Sequence, residues 1–278
     1  MYEVIFLCVL ALIWIGFASV QDLRSREIAN WINFSLIIFA LGFRFFYCLF
    51  YSLNFNFFYQ GLIGLGVFFI IGNLLYYGRM FAGGDAKLMI SLGAVLPFSE
   101  SLLVNVRIFL LFIIIFLFVG AFYGLVCAVY LSVKNFKDFK KEFVQRIKKN
   151  KNLVYGAMVF GLVFMFFGLT ESLLLYFGIL FFILPFFYFY AKAVDECCLV
   201  KIISSKKLTE GDWLYKDVKI GKRLIKANWE GLTKKDVELL KKKCKIVKIR
   251  QGIAFVPVFL ISFLILIFVW FMGLINIF

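Results

Sequence analysis

Histidine is absent from this sequence of 278 residues, and its absence excludes several kinds of chemistry at once. Ser-His-Asp and Cys-His catalysis, histidine-ligated zinc and histidine proton relays all need an imidazole ring. The six cysteines form no Cys-x-x-Cys pair, which disfavours zinc clusters and a structural disulfide framework. We therefore expect no metal and no cofactor, and any catalysis must use Asp, Glu, Lys, Ser, Cys or Tyr.

Acidic residues are scarce as well, since 16 Asp and Glu stand against 31 Lys and Arg, which gives a net charge of +15. Such a charge can indicate nucleic-acid binding, but its placement here indicates a membrane. All basic residues except Arg44 and Arg107 lie in four polar segments between hydrophobic runs. This pattern is typical of cytoplasmic loops that face anionic lipid headgroups, so we expect lipid and no nucleic acid as their partner.

Hydrophobic residues, in contrast, make up 64% of the chain, and the mean hydropathy is +0.96. A soluble domain contains only about 45–50% apolar residues. Runs of about 17–25 apolar residues, the length needed to cross a hydrocarbon core of about 30 Å, recur along most of the sequence. We therefore predict an all-α polytopic membrane protein with about eight transmembrane helices, within a range of six to eight. The predicted spans are 3–20, 31–53, 57–77, 86–98, 104–133, 152–169, 171–191 and 252–277.

The charges of the connecting loops support this count, because each span reverses the side on which the next loop lies. All the basic loops fall on one side, the cytoplasmic side, and both termini fall on the other. These loops are 21–30, 78–87, 134–151 and 192–250. The alternation requires a crossing at 86–98, the shortest predicted span. A cleaved signal peptide at 2–20 is the alternative for the first helix, but Arg24 and Arg26 after it favour a retained helix.

The predicted spans and loops divide the chain into three parts. They are a membrane domain at 1–191 with seven spans and the basic cytoplasmic loop 134–151, a small basic cytoplasmic domain at 192–250, and a C-terminal transmembrane helix at 251–278. The cytoplasmic domain has the pattern of a small α+β appendage. It contains a helix signal at 234–243 with Thr233 as N-cap, followed by a strand signal at 245–249.

Two carboxylates, Asp22 and Asp85, lie at predicted helix ends on the same cytoplasmic face. Each has an ordinary explanation, because Asp22 can be neutralised by Arg24 or Arg26, and Asp85 can cap the helix that follows it. As a pair they can also provide an acid and a base for catalysis. Two neighbouring carboxyls, one ionised and one protonated, can activate a water and protonate a peptide carbonyl without histidine.

The segments around both aspartates resemble a known family. The segment QDLRSREIAN at 21–30 is similar to the first catalytic segment of the type IV prepilin and archaeal preflagellin (prearchaellin) peptidases. These are membrane aspartyl proteases of the GxGD class. The segment AGGDAKL at 82–88 is similar to their GxGDxK segment, with Ala82 where the first glycine is expected.

Two later segments extend the resemblance toward the archaeal members of the family. The segment LTEGD at 208–212 is similar to an EGD element of the archaeal members, and GIAFVP at 252–257 is similar to the helix start that follows it. Ala254 stands in place of an expected proline. The ordered set of four segments is more specific than a GGD triplet alone.

This resemblance implies that the membrane domain carries an aspartic endopeptidase with Asp22 and Asp85 as its catalytic pair. Such an enzyme removes the short basic leader from type IV pilin-like or archaellin precursors at the cytoplasmic face of an archaeal plasma membrane. Bacterial members often add a tetracysteine zinc module and N-methylate their product. This chain lacks that module, so we expect no methyltransferase activity. The implied site-shaping residues are Gly83, Gly84, Lys87, Arg24 and Arg26, and the implied substrate-positioning residues are Glu210, Asp212 and Pro257.

Three other functions fit parts of the pattern. A carboxylate-coupled transporter also uses intramembrane acids and glycine-broken helices, but the two aspartates are predicted at the interface, and no inverted repeat is visible. A presenilin-like intramembrane protease would carry its first aspartate within a span, whereas Asp22 is predicted in a polar loop. A non-catalytic membrane scaffold or pilus-machine subunit is the third alternative.

Overall fold

The computed structural model describes residues 2–52, 54–220 and 223–273, and the chain divides into two units. The first unit contains Met1–Gly124 and Ile253–Phe278, and the second contains Leu125–Gly252. Both are mainly helical, and the second also carries short strands. This confirms the predicted class, an all-α polytopic membrane protein with a small α+β appendage.

Among the described residues, six helices belong wholly or partly to the first unit. They are α1 (Tyr2–Ser25), α2 (Asn30–Tyr47, continued by the π-helical stretch Cys48–Ser52), α3 (Asn56–Tyr77), α4 (Gly83–Gly93), the beginning of α5 (Leu102–Lys134) and α10 (Val256–Phe271). Their apolar side chains form one buried cluster, to which all six helices contribute.

The second unit contains the end of α5, then α6 (Phe136–Lys149), α7 (Lys151–Phe167), α8 (Ser172–Cys198) and α9 (Lys234–Lys243). Its strands are β1 (Val200–Ser204), β2 (Trp213–Leu214), β3 (Val218–Ile220), β4 (Arg223–Ile225) and β5 (Ile246–Arg250). Strand β5 lies between β1 and β2 in an antiparallel sheet, and β3 pairs with β4. The predicted N-cap of α9 is confirmed, since Thr233 Oγ1 accepts the N–H of Asp236 at 3.3 Å.

Five described helices are long and apolar enough to cross a membrane, namely α1, α2, α3, α5 and α8, as expected of a multi-pass membrane protein. Helices α6 and α7, bent by 76° at Asn150, make a sixth if they are counted as one broken span. The other two predicted spans correspond to shorter helices. Helix α10 has 16 residues, and the end of its predicted span, at 274–277, lies outside the described residues. Helix α4, predicted as a crossing at 86–98, has 11 residues and ends at Gly93.

Small residues bring α3 and α4 close together. A Cβ placed on Gly93 would lie 2.5 Å from the carbonyl oxygen of Gly64, and a Cβ on Gly72 would lie 3.0 Å from the carbonyl oxygen of Ala86. Because lipid tails are as apolar as the side chains, helices in a membrane associate through close van der Waals packing, which such small residues allow. This packing fixes α4 along its length.

The end of α4 is held by Arg44, a fully buried cation in α2. Its guanidinium donates to the carbonyl oxygens of Ala94 (2.9 Å), Val95 (3.0 Å) and Pro97 (2.5 Å), just beyond the last turn of α4. It also donates to the carbonyl oxygen of Phe57 at 2.9 Å and lies 4.2 Å from the centre of that ring. Arg44 thus satisfies carbonyl groups of the buried non-helical segment that follows α4.

In the second unit, an ion-pair network joins the α+β appendage to the helices. Arg250 at the end of β5 lies 3.4 Å from Asp195 and 3.6 Å from Glu196, both in α8. Arg146 of α6 lies 3.8 Å from the same Glu196, whose other carboxylate oxygen accepts the hydroxyl of Tyr215 at 2.7 Å. These contacts tie α6, α8 and the sheet into one body.

Candidate active site

Asp22 lies inside the last turn of α1 and is 6% exposed. The helix continues to Ser25, beyond the predicted end at residue 20, so the first polar loop is shorter than expected. It ends where Arg26 adopts a left-handed conformation with φ of 61°, and the Arg26 N–H donates to the carbonyl oxygen of Asp22 at 2.9 Å. A bulky residue at positive φ is uncommon and fixes the direction of the chain after Asp22.

The carboxylate of Asp22 also accepts a hydrogen bond from α10. The N–H of Val256, the first residue of that helix, donates to Asp22 Oδ2 at 3.0 Å. The N–H groups of a first helical turn have no partner within the helix, and the helix dipole favours a negative charge there. The start of α10 therefore provides a place for Asp22 in its ionised form.

Asp85 lies in the first turn of α4, directly after Gly83 and Gly84. Burial of its carboxyl raises the pKa of Asp85 to about 7, and the negative charge of Asp22 adds to the increase. A like charge has this effect only at short range, so the two carboxyls are electrostatically coupled. Asp85 therefore holds its proton at pH values where an exposed aspartic acid is ionised.

Two contacts join the segments that carry the aspartates. A Cβ on Gly84 would lie 3.3 Å from the side chain of Ile28, so the glycine allows α4 to approach the chain that follows α1. Lys87 Nζ donates to Asn30 Oδ1 at 2.7 Å. Both pairs connect 21–30 with 82–88, the two segments that contain the predicted catalytic aspartates.

The implied site-shaping residues are not equivalent. Gly84 and Lys87 make the joining contacts, whereas a Cβ on Gly83 would only reach ordinary contact with Tyr76 at 3.8 Å. Arg24 and Arg26 are exposed. No ion pair joins either arginine to Asp22 within the described residues, so the surface ion pair that could have explained Asp22 is not formed.

The implied substrate-positioning residues fall into different parts of the structure. Pro257 follows Val256 in the first turn of α10, next to the residue that contacts Asp22. Glu210 and Asp212 belong to the second unit, where they form a turn around Gly211 (φ 92°). Asp212 Oδ2 accepts the N–H of Thr209 at 2.8 Å, and exposed Glu210 lies 3.7 Å from Lys234.

An aromatic cluster near the two motifs was not anticipated from the sequence. Phe81 precedes the AGGD segment, and Phe255 precedes Val256. Their ring centres are 5.9 Å apart, and both rings contact Phe116 and Phe259. With 39 phenylalanines in the chain, no local signal distinguishes these four. The contact of Val256 with Asp22 was also missed, although the proline at 257 marked a helix start where a carboxylate is stabilised.

The comparison with known families identifies this part of the molecule. The sequence model of the type IV leader peptidase family matches residues 9–129, which include both aspartates and the segments around them. Residues 9–129 of this chain are thus similar to the type IV leader peptidase family. No curated protein and no solved structure matches it. The match supports a type IV leader peptidase function, and a peptidase of this kind implies prepilin-type precursors as substrates.

Proposed function

We propose that this protein is a type IV leader peptidase, an aspartic endopeptidase in which Asp22 and Asp85 act together on one water molecule. Its substrates are pilin-like or archaellin-like precursors, cut at the cytoplasmic membrane face between a short basic leader and the hydrophobic segment that follows. The observation that carries the proposal is the junction of the two motifs. Ile28 against Gly84 and Lys87 on Asn30 hold the Asp22 and Asp85 segments together, inside the region that matches the family.

Both carboxyls are shielded from solvent, but their surroundings differ. Asp22 accepts the Val256 N–H at the N-terminus of α10, which stabilises a carboxylate. Asp85 has a pKa raised to about 7 by burial and by the charge of Asp22, which favours the acid. Two carboxyls whose environments separate their protonation states are suited to serve as base and acid.

In the proposed reaction, Asp22 is the base and Asp85 the acid. The water oxygen attacks the scissile carbonyl carbon while one water proton passes to Asp22, and the Asp85 proton passes to the carbonyl oxygen. The resulting gem-diol then collapses. The C–N bond breaks, the leaving amine takes the proton from Asp22, and a gem-diol hydroxyl returns a proton to Asp85. The dyad regains its starting state, with one proton shared by a coupled pair.

Asp22 lies inside α1, as the first aspartate of a presenilin-like enzyme would, and the loop begins only after Ser25. The family match now favours leader cleavage over cleavage inside a transmembrane helix. Cleavage on the polar side of the hydrophobic segment of the precursor remains the expected outcome.

The experiment is cleavage of a co-expressed prepilin-type precursor by Asp22→Asn and Asp85→Asn variants. Each variant should insert normally and lose processing by about 10³-fold or more, because Asn has a similar shape but neither accepts nor supplies the proton. Glu27→Gln is the matched control, since it removes an exposed acid from the same segment and should process normally. Normal processing by either aspartate variant would exclude the dyad.

A further inference from the structure

Helix α6 is a strongly charged helix beside the membrane-crossing part of the second unit. Its sequence, FKDFKKEFVQRIKK, contains six basic residues within 14, and none of its side chains is buried. So many charges exclude it from the hydrocarbon core. Helices α7 and α8 pack as an antiparallel pair where Gly161 meets Gly178, and α8 is long enough to cross the bilayer.

The 76° bend between α6 and α7 sets the direction of α6. If α7 runs with α8 across the bilayer, a helix at 76° to α7 runs nearly parallel to the membrane surface. Amphipathic helices that lie in this way combine an apolar side with lysines and arginines on the polar side. The apolar side of α6 contacts α8, where the rings of Phe139 and Tyr190 lie 5.2 Å apart.

The lysines and the acidic residues of α6 lie on different sides of the helix. Residues three, four and seven apart share one side of a helix, and this spacing places four lysines around Val144 on one side. We define this lysine face as Lys137, Lys140, Lys141, Val144 and Lys148, which line one open depression. Both acidic residues, Asp138 and Glu142, lie away from this face.

The ion pairs of α6 leave this face untouched. Arg146 pairs with Glu142 at 2.7 Å and lies 3.8 Å from Glu196, on the side toward α8. Within the described part of the chain, these are the ion pairs that α6 makes, and none involves a lysine of the lysine face. Four positive charges are thus gathered on one exposed side without an internal counter-charge.

We propose that the lysine face of α6 is a docking surface for anionic phospholipid headgroups of the membrane that the protein spans. The occupant follows from charge complementarity and from the direction of the helix, because a surface parallel to the bilayer is next to headgroups along its whole length. Exposed Phe136 at the start of α6 supplies an apolar side chain that can enter the interface. A basic leader peptide is repelled by the same charges and does not fit this face.

Anionic headgroups would fix more than one helix. Arg146 connects α6 to Glu196, and Glu196 connects to Arg250 of the sheet. Lipid bound on the lysine face therefore holds the cytoplasmic appendage at the membrane surface through a continuous set of ion pairs. This inference does not depend on the proposed catalytic mechanism.

The test is the reactivity of individual lysines in the full-length protein, reconstituted into phosphatidylcholine vesicles with or without phosphatidylglycerol at about 30%. A brief pulse of acetic anhydride, an uncharged reagent, is followed by mass spectrometry of the peptides. Acetylation of Lys137, Lys140, Lys141 and Lys148 should fall by about threefold or more in the anionic vesicles and recover in ~0.5 M salt. Exposed lysines 241–243 of α9 are the internal control and should keep their reactivity.

Each other result contradicts the proposal. Equal reactivity of the lysine face in both vesicles would show that it does not select anionic lipid. Protection by inorganic phosphate added to phosphatidylcholine vesicles would indicate a site for free anions. An equal decrease at lysines 241–243 would indicate a general effect of the charged surface and not a docking face.

A pair of double variants separates docking from general charge. In Lys140→Gln/Lys141→Gln, the remaining Lys137 and Lys148 should lose most of their lipid-dependent protection, because the face keeps only half of its charge. In Lys241→Gln/Lys242→Gln, which removes the same charge from α9, their protection should be unchanged. Unchanged protection in the first variant would overturn the assignment of this face.

Discussion

The two units of the molecule stabilise their charges by different means. In the first unit, buried Arg44 and Asp22 are bound to backbone groups, namely four carbonyls near α4 and the first N–H of α10. In the second unit, partly exposed Arg146 and Arg250 are bound to the side chains of Asp195 and Glu196. Where acidic and basic side chains are few, the unpaired backbone groups at helix ends and in the segments beside them can bind a buried charge instead.

This difference connects the fold to the candidate active site. Arg44 binds the residues that directly follow α4. Gly84 and Lys87 make the contacts of its first turn, which carries Asp85. The short helix is held at both ends by specific contacts and along its side by close packing on α3. A catalytic pair needs such fixed geometry, since small displacements of the reacting groups lower the rate strongly.

The largest expected effect is the loss of Arg44. Arg44→Leu should lower the free energy of unfolding by about 3–5 kcal/mol, because it leaves buried carbonyls without donors. The comparison variant is Arg250→Leu, which should cost about 1 kcal/mol since its ion pairs are partly exposed. Denaturant unfolding of the full-length protein in detergent measures both. Equal losses would remove the distinction between the two units.

The pH dependence of cleavage is expected to follow Asp85. In the proposed mechanism Asp85 must be protonated, and its pKa is raised to about 7. Activity should therefore be retained below pH 7 and fall about tenfold per unit as the pH rises above it. The measurement is kcat/KM for a prepilin-type precursor between pH 5 and pH 9. A rate that keeps rising through pH 8 would contradict the role of Asp85 as the acid.

The two glycines before Asp85 provide a smaller, matched test of close approach. Gly84→Ala should lower kcat about tenfold, because the added methyl group pushes against Ile28 and shifts the first turn of α4. Gly83→Ala adds a methyl group at ordinary contact distance from Tyr76 and should change kcat by no more than about twofold. The measurement is kcat of each purified, membrane-inserted variant. Equal effects would show that the approach of Ile28 to α4 is not important.

The smallest expected effect belongs to the EGD turn of the second unit. Glu210 is exposed and lies 3.7 Å from exposed Lys234, so Glu210→Gln should change the free energy of unfolding by less than about 0.5 kcal/mol. Precursor cleavage distinguishes a structural turn from a substrate-positioning one. A rise in KM with unchanged stability would support substrate positioning, and unchanged kinetics would leave the turn a structural element.

Much of this arrangement follows from local sequence, and the rest depends on tertiary contacts. Hydrophobic run lengths predicted the helices, and Thr233 marked the start of α9. The end of α1 was misplaced because residues 21–25, polar except for Leu23, are compatible with a helix, and no helix-breaking residue stands before Arg26. The Arg44 contacts join α2 to the residues that follow α4, about 50 positions along the chain, and the Val256 contact joins residues 234 positions apart. No local pattern encodes either contact.

The separate protonation states of Asp22 and Asp85 can be measured directly by infrared difference spectroscopy of the full-length protein between pH 5.5 and pH 8.5. We predict a carboxylic acid C=O band that titrates near pH 7. It should disappear in Asp85→Asn and persist in Asp22→Asn with a lower midpoint, because the neighbouring charge is gone. A band that persists in Asp85→Asn and disappears in Asp22→Asn would contradict the assignment of Asp22 as base and Asp85 as acid.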